Sequence, residues 1–103
     1  MSQLLLDILK LKPGKTAAEA TAYFDSLKPV FERVGLSRSD VPLVALKTLR
    51  GSTEADVVNL WQSNDAAASM GAMAADSEYQ SKVALRDEIF DLENSTVILT
   101  QRS

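Results

Sequence analysis

Asp56-Val57-Val58-Asn59-Leu60-Trp61-Gln62-Ser63 is the stretch on which the reading of this chain turns. It holds the only tryptophan. Paired valines and a buried-type aromatic in so short a run read as a strand. No Gly or Pro separates it from the alanine-rich Ala66–Ala75, which reads as helix. The residues before it read as strand, helix, strand, and those after it as helix, then strand.

Upstream, Leu4 to Lys12 is the first strand. One alternating set is Leu4, Leu6, Ile8 and Lys10, and the other is Leu5, Asp7, Leu9 and Leu11. A sheet with one wet face should alternate apolar with polar, so two apolar faces imply that both are covered. Helices cover one face, and the other calls for a second subunit. Pro13-Gly14 is a turn. Thr16 to Glu19 fits a capping box, and Ala20, Tyr23, Phe24, Leu27, Phe31 and Val34 then recur at helical spacing. Pro29 should kink or break that helix, and Gly35 should end it. Leu36 to Pro42 reads as a polar connector, Leu43 to Arg50 as a second strand, and Gly51 to Ala55 as a hairpin-length loop.

Downstream, Asn64 or Asp65 can cap the next helix. Ser77 to Gln80 repeats the capping signature S-x-x-Q, so a bend is expected near Asp76. The helix should resume to about Leu92, with Tyr79, Val83, Arg86 and Phe90 on one face. Glu93 to Ser95 reads as a turn and Thr96 to Gln101 as a β-branched final strand. The order βαββαβ is a ferredoxin-like, α+β plan: a four-stranded antiparallel sheet with helices on one face. Crossover rules place the first strand and the tryptophan strand in its centre. The expected assembly is a homodimer with the open sheet faces packed together.

The 103 residues fit one domain, 1–103. A net charge of −3, with charges interspersed, argues against a nucleic-acid partner. The absence of Cys and His excludes disulfides, thiolate metal sites, a Ser-His-Asp triad and His-ligated haem. No cofactor and no metal is expected. Leu4-Leu5-Leu6 is interrupted by Asp7 and is too short for a signal-peptide core, and no stretch approaches the roughly 20 apolar residues of a membrane span. The expected location is the cytoplasm, with no membrane partner.

Six residues are candidates for a site. Asp7 lies among leucines, where burial raises a carboxylate's pKa toward acid–base work; the alternative is pairing with Lys47 or Arg86. Arg86 lies on the buried stripe, where its planar fork suits a carboxylate or enolate; alternatively its stem covers apolar surface while its head reaches water or Asp7. Asn59 and Trp61 share a strand face and can orient a flat ligand by hydrogen bond and stacking, although aromatics are also common core or interface anchors. Met70 can line a cavity or simply pack, since methionine adapts to irregular space. Tyr79, like Tyr23, brings a hydroxyl that donates a proton or sits at the edge of the core.

Trp61-Gln62-Ser63-Asn64-Asp65-Ala66 resembles the Trp-x-Ser-x-x-Ala entry to the second helix of antibiotic-biosynthesis-monooxygenase proteins, which are dimeric α+β barrels. Glu78-Tyr79-Gln80, followed by Leu85-Arg86 and Val97-Ile98-Leu99, is similar to a neighbouring uncharacterised family of that superfamily. The chain departs from the pattern at two places. Met70 stands where many monooxygenase-like members have a histidine, and Asn59 stands where many have a glutamate. Haem degradation, which needs a histidine ligand, is not expected.

The resemblance implies a small cofactor-independent monooxygenase or isomerase acting on an aromatic or quinone-like molecule. Asp7 and Arg86 are then its catalytic candidates, and Asn59, Trp61, Met70 and Tyr79 its ligand-binding ones. The alternative is a non-catalytic homodimeric module that binds a small organic ligand or serves assembly.

Overall fold

The first strand, β1 (Gln3–Leu11), has a neighbour on each side, as its two apolar faces suggest. The structure is a computed structural model and describes residues 3–38 and 41–102. After β1 come the helices α1 (Ala17–Ser26) and α2 (Lys28–Val34), then the short strands β2 (Ser37–Arg38) and β3 (Leu43–Val44). The tryptophan strand is β4 (Val57–Ser63). Helices α3 (Ala66–Ala75), α4 (Ser77–Ser81) and α5 (Val83–Ile89) lead into β5 (Phe90–Gln101).

All pairings are antiparallel, and β4 and β1 occupy the interior, with β5 beyond β1 and with β2 and β3 beyond β4. The fold is the α+β, ferredoxin-like plan. Among the described residues the sheet has five strands where four were expected, but β2 and β3 pair successive parts of β4 and share one edge.

Local chemistry sets most boundaries. Thr16 and Glu19 form the reciprocal capping box of α1. Pro29 lies in the first turn of α2, where its missing N–H costs nothing, so the proline separates two helices rather than kinking one. Gly35 closes α2 in the left-handed conformation, φ 82°. Asp65, the second of the two expected caps, accepts from the Ala68 N–H and starts α3. Arg33 on α2 grips Asp76 through both carboxylate oxygens and so ties α2 to the junction of α3 and α4.

Several boundaries differ from the sequence reading. The second strand stops at Val44 instead of Arg50, and a loop occupies 45–56 rather than 51–55. The last cross-strand bond runs from Ala45 N–H to the Asp56 carbonyl. Beyond it, Leu46 and Leu49 are 95% and 90% exposed, so the alternating pattern has no surface to pack against within the chain. The connector 36–42 carries β2; its residues 39 and 40 lie outside the described ones.

The bend before α4 is capped by Asp76, not Ser77, because the Asp76 carboxylate reaches the Glu78 and Tyr79 N–H groups. The last helix ends at Ile89 rather than Leu92. The Glu93–Ser95 turn is a bulge inside β5. There the Ser95 hydroxyl takes the Lys10 N–H and donates to the Asp91 carbonyl, replacing ladder bonds and letting the strand run on.

Residues of β1 and β4 with odd numbers face the helices. Leu5, Leu9, Val57 and Trp61 pack there against Tyr23, Phe24, Leu27 and Phe31 of α1 and α2 and the flanking turn. The opposite face presents Leu4, Leu6, Ile8, Val58, Leu60 and Ile98 in register. Leu60 and Ile98 are exposed there.

Candidate functional site

Between the helix-facing side of the sheet and the helices lies a partly open cavity of about 240 Å³. Its walls are mostly apolar, with Leu5 and Leu9 on the sheet and Tyr23, Phe24 and Phe31 on the helical side. Strand alternation puts Asp7 and Trp61 on this face. The helical stripe supplies Met73, Tyr79 and Arg86.

Asp7 accepts a hydrogen bond from the Trp61 indole N–H at 2.6 Å. Burial raises its pKa from the ordinary 3.8, while the Trp61 indole and the Asn59 amide, which lies near it, pull the other way. Among the described residues it pairs with neither Lys47 nor Arg86, the alternatives suggested by the sequence. The indole both orients the carboxylate and leaves it to face the cavity.

Trp61 is only 6% exposed and packs against Phe24 and Phe31, with ring centroids 6.0 and 4.6 Å away. It is at once a core anchor and part of the wall, so the two readings of it are not exclusive.

Arg86 donates to the Tyr79 hydroxyl at 2.8 Å and holds Asp87 at 3.0 Å. Its cation is therefore fixed at the cavity edge rather than directed to Asp7. Its pKa is raised: burial opposes the charge, but the Tyr79 and Asp87 contacts favour it. Met70 stands at the rim, 39% exposed.

Asn59 is the exception among the six. It lies opposite Asp7 in the β1–β4 register and is 1% exposed, but it is not part of the cavity wall. Neither its amide nitrogen nor its oxygen has a hydrogen-bond partner among the described residues.

The cavity thus brings together Asp7, Trp61, Met70, Tyr79 and Arg86, with Asn59 behind the wall. Sequence reading assigns Tyr23 less weight, yet it lines the same space, while its hydroxyl is buried and has no hydrogen-bond partner among the described residues. Its signal is its place on the α1 stripe, which does not distinguish a lining residue from a core one. Phe90, Leu92 and Val97 also contribute wall, and their part depends on the long course of β5. Among the described residues, no group of three or more acidic side chains lies close enough to hold a metal ion. None of the described helices is long and apolar enough to cross a membrane.

A carboxylate on one wall, a cation with the Tyr79 phenol on the other, and apolar surface between them can bind a flat organic molecule and move a proton on it.

No protein-family model matches the chain, and no curated relative matches it. Solved structures do. A protein of unknown function from Rhodopseudomonas palustris superposes with a TM-score of 0.75 at 23% identity, covering 99% of this chain and 82% of that one. A NIPSNAP domain protein from Burkholderia xenovorans gives 0.72 at 15% identity, covering 100% and 95%. SnoaB, a cofactor-independent oxygenase from Streptomyces nogalater, gives 0.66 at 14% identity, covering 99% and 93%. Identities this low speak to architecture alone. The chain shares its α+β, ferredoxin-like fold with these structures.

Proposed function

We propose that the protein is a homodimeric, cofactor-independent oxygenase acting on a small aromatic or quinone-like molecule held in the 240 Å³ cavity. The observation that carries this reading is the placement of Asp7 in an otherwise apolar wall, with its pKa raised by burial, across from the Arg86–Tyr79 pair. In this reading Asp7 takes the proton of a phenolic hydroxyl. The charge left on the substrate spreads through its ring and is met by the Arg86 cation. The electron-rich anion reduces dioxygen: one oxygen atom enters the ring as a carbonyl and the other leaves as water, with the ring giving up the electrons. Trp61 and Met70 supply apolar surface for the ring. SnoaB, a cofactor-independent oxygenase of the same fold, supports the reaction class.

The homodimer is supported by the apolar rows on the open sheet face and by a ferredoxin-like neighbour from Bacteroides fragilis described as dimeric, with a TM-score of 0.54. Light scattering should give twice the chain mass of 11.2 kDa.

The test of activity is oxygen uptake with naphthols and dihydroxynaphthalenes, comparing wild type with Asp7→Asn. The expected loss of kcat is about 10²-fold or more, typical of removing a general base. Tight binding without oxygen uptake above the spontaneous rate would leave a ligand-binding module, the alternative reading. A failure of all these compounds to bind would remove the site itself.

A further inference from the structure

Trp61 borders two open spaces. One is the 240 Å³ cavity, and the other is a cleft of about 380 Å³ with Asp25, Lys28 and Arg38 on its walls. Phe24, Phe31 and Leu36 also border both, so these three residues and the indole are the partition between the two spaces. Apolar packing is non-directional and does not by itself fix the plane of a ring with space to either side. The chemistry of Asp7 nevertheless depends on that plane, because the indole N–H must stay on the carboxylate, 2.6 Å away.

Arg38 supplies the missing constraint. It is the cross-strand partner of Trp61 in the β2–β4 ladder, so the two side chains leave the sheet as neighbours on one face. Its guanidinium carbon lies 5.8 Å from the indole centroid, within reach of a cation–π contact. The guanidinium is itself held, since its Nη2 donates to the Asp25 carboxylate at 3.3 Å. Asp25 stands in the last turn of α1, where a carboxylate meets the negative end of the helix dipole and gains nothing from it. Its side chain is 62% exposed, and so open an ion pair adds little stability. Holding Arg38 over the indole is what this placement achieves.

We propose that Arg38, tethered by Asp25, is a positioning residue for Asp7: it clamps the Trp61 indole so that the N–H stays on the carboxylate that faces the cavity. Arg38 does not border that cavity and acts only through Trp61. The proposal rests on the reading of Asp7 as the base of the site, and it extends that site outward to the surface of α1. Burial disfavours the ionised carboxylate, and the indole N–H favours it. A released indole therefore leaves Asp7 protonated to a higher pH. The other titratable groups on the cavity are Tyr23 on α1, Tyr79 on α4 and Arg86 on α5, and among the described residues none of them bonds to Asp7.

The test uses the single tryptophan as its own probe. Trp61 emission is titrated with acid in wild type, Arg38→Met, Arg38→Lys, Asp25→Ala and Asp7→Asn, and exchange of the indole N–H is followed by NMR at one pH. Methionine keeps an unbranched apolar stem on a two-residue edge strand, so Arg38→Met should fold. It should raise the emission midpoint by about half a pH unit or more and speed indole exchange about threefold or more, the worth of a cation–π contact. Asp25→Ala should move both readings the same way by less, and Arg38→Lys, which keeps the charge, should recover part of the change. If Arg38→Met lowers Tm but its midpoint and exchange match wild type, Arg38 is only structural and the proposal is refuted, while the cavity reading stands. If wild-type emission behaves as in Asp7→Asn, the indole–carboxylate pair is absent and the clamp falls with it. A raised midpoint in Arg38→Met without oxygen uptake in wild type would uphold the clamp and remove the oxygenase alone.

Discussion

Replacing Asn59 with leucine should make this protein more stable. Asn59 is 1% exposed in the middle of an interior strand, and neither of its amide atoms is hydrogen-bonded among the described residues. A buried polar group left unpaired costs about 1–3 kcal/mol, whereas an apolar group of the same shape carries no such cost. Leucine has the same branched skeleton and suits a site flanked by Val57 and Trp61 on its own face. It is somewhat larger, and overpacking can take back about 1 kcal/mol or more. Leucine also gives up the amide's favourable effect on the Asp7 carboxylate, so the expected net gain is about 0–2 kcal/mol. At about 4–8 °C per kcal/mol for a domain near this size, Tm should rise by up to roughly 15 °C. Urea unfolding followed by Trp61 fluorescence measures it, with calorimetry at one fixed protein concentration as the control for dimer dissociation. Because Asn59 lies behind the cavity wall, 2-naphthol binding should change less than in Asp7→Asn. A loss of 1 kcal/mol or more would refute the reasoning, since it would mean that the amide has hydrogen bonds in solution.

Four further outcomes are expected. Burial holds the Asp7 carboxyl above 3.8, so the folded state binds that proton more tightly than the unfolded chain. Its contribution to stability is full below pH 3.8 and is lost as pH rises through the folded value, so the Tm advantage of Asp7→Asn should grow with pH. Trp61 emission should also titrate with a midpoint above 3.8, and not at all in the variant. Asp76 has the opposite sign: the Arg33 guanidinium, first, and the Tyr79 N–H hold its pKa below 3.8. Asp76→Asn should therefore lower Tm at neutral pH, with the gap closing as wild type is acidified through its folded pKa. Gly35→Ala should cost about 1–2 kcal/mol in urea unfolding because φ there is 82°, while Gly71→Ala, mid-helix with open space for the added Cβ, should gain about 0.5–1 kcal/mol. Leu60→Lys, on the apolar open face, should convert the proposed dimer to a monomer by light scattering; an unchanged mass would refute sheet-face pairing.

The sequence by itself determined the element order, the interior places of β1 and β4, and the caps at Thr16 and Asp65. These rest on signals carried by neighbouring residues: the apolar sets of Leu4–Leu11, a hydroxyl three residues before a carboxylate, and an acidic residue just ahead of an alanine-rich run. It also put Asn59 and Trp61 on one face of their strand, because strand alternation depends only on parity, but not which face the helices cover. Tertiary structure decided the rest. Leu43–Arg50 alternates like a strand, but beyond Ala45 its leucines have no surface in the chain to pack against. Ser95 looks like a turn residue until Lys10, 85 positions away, supplies the N–H that makes it part of a bulge. Likewise, the indole that holds Asp7 and the phenol that holds Arg86 are chosen by packing. Periodicity placed Tyr23 on a buried stripe and Asn59 on a buried strand face. Only the tertiary structure separates them: Tyr23 borders the cavity between helices and sheet, and Asn59 does not.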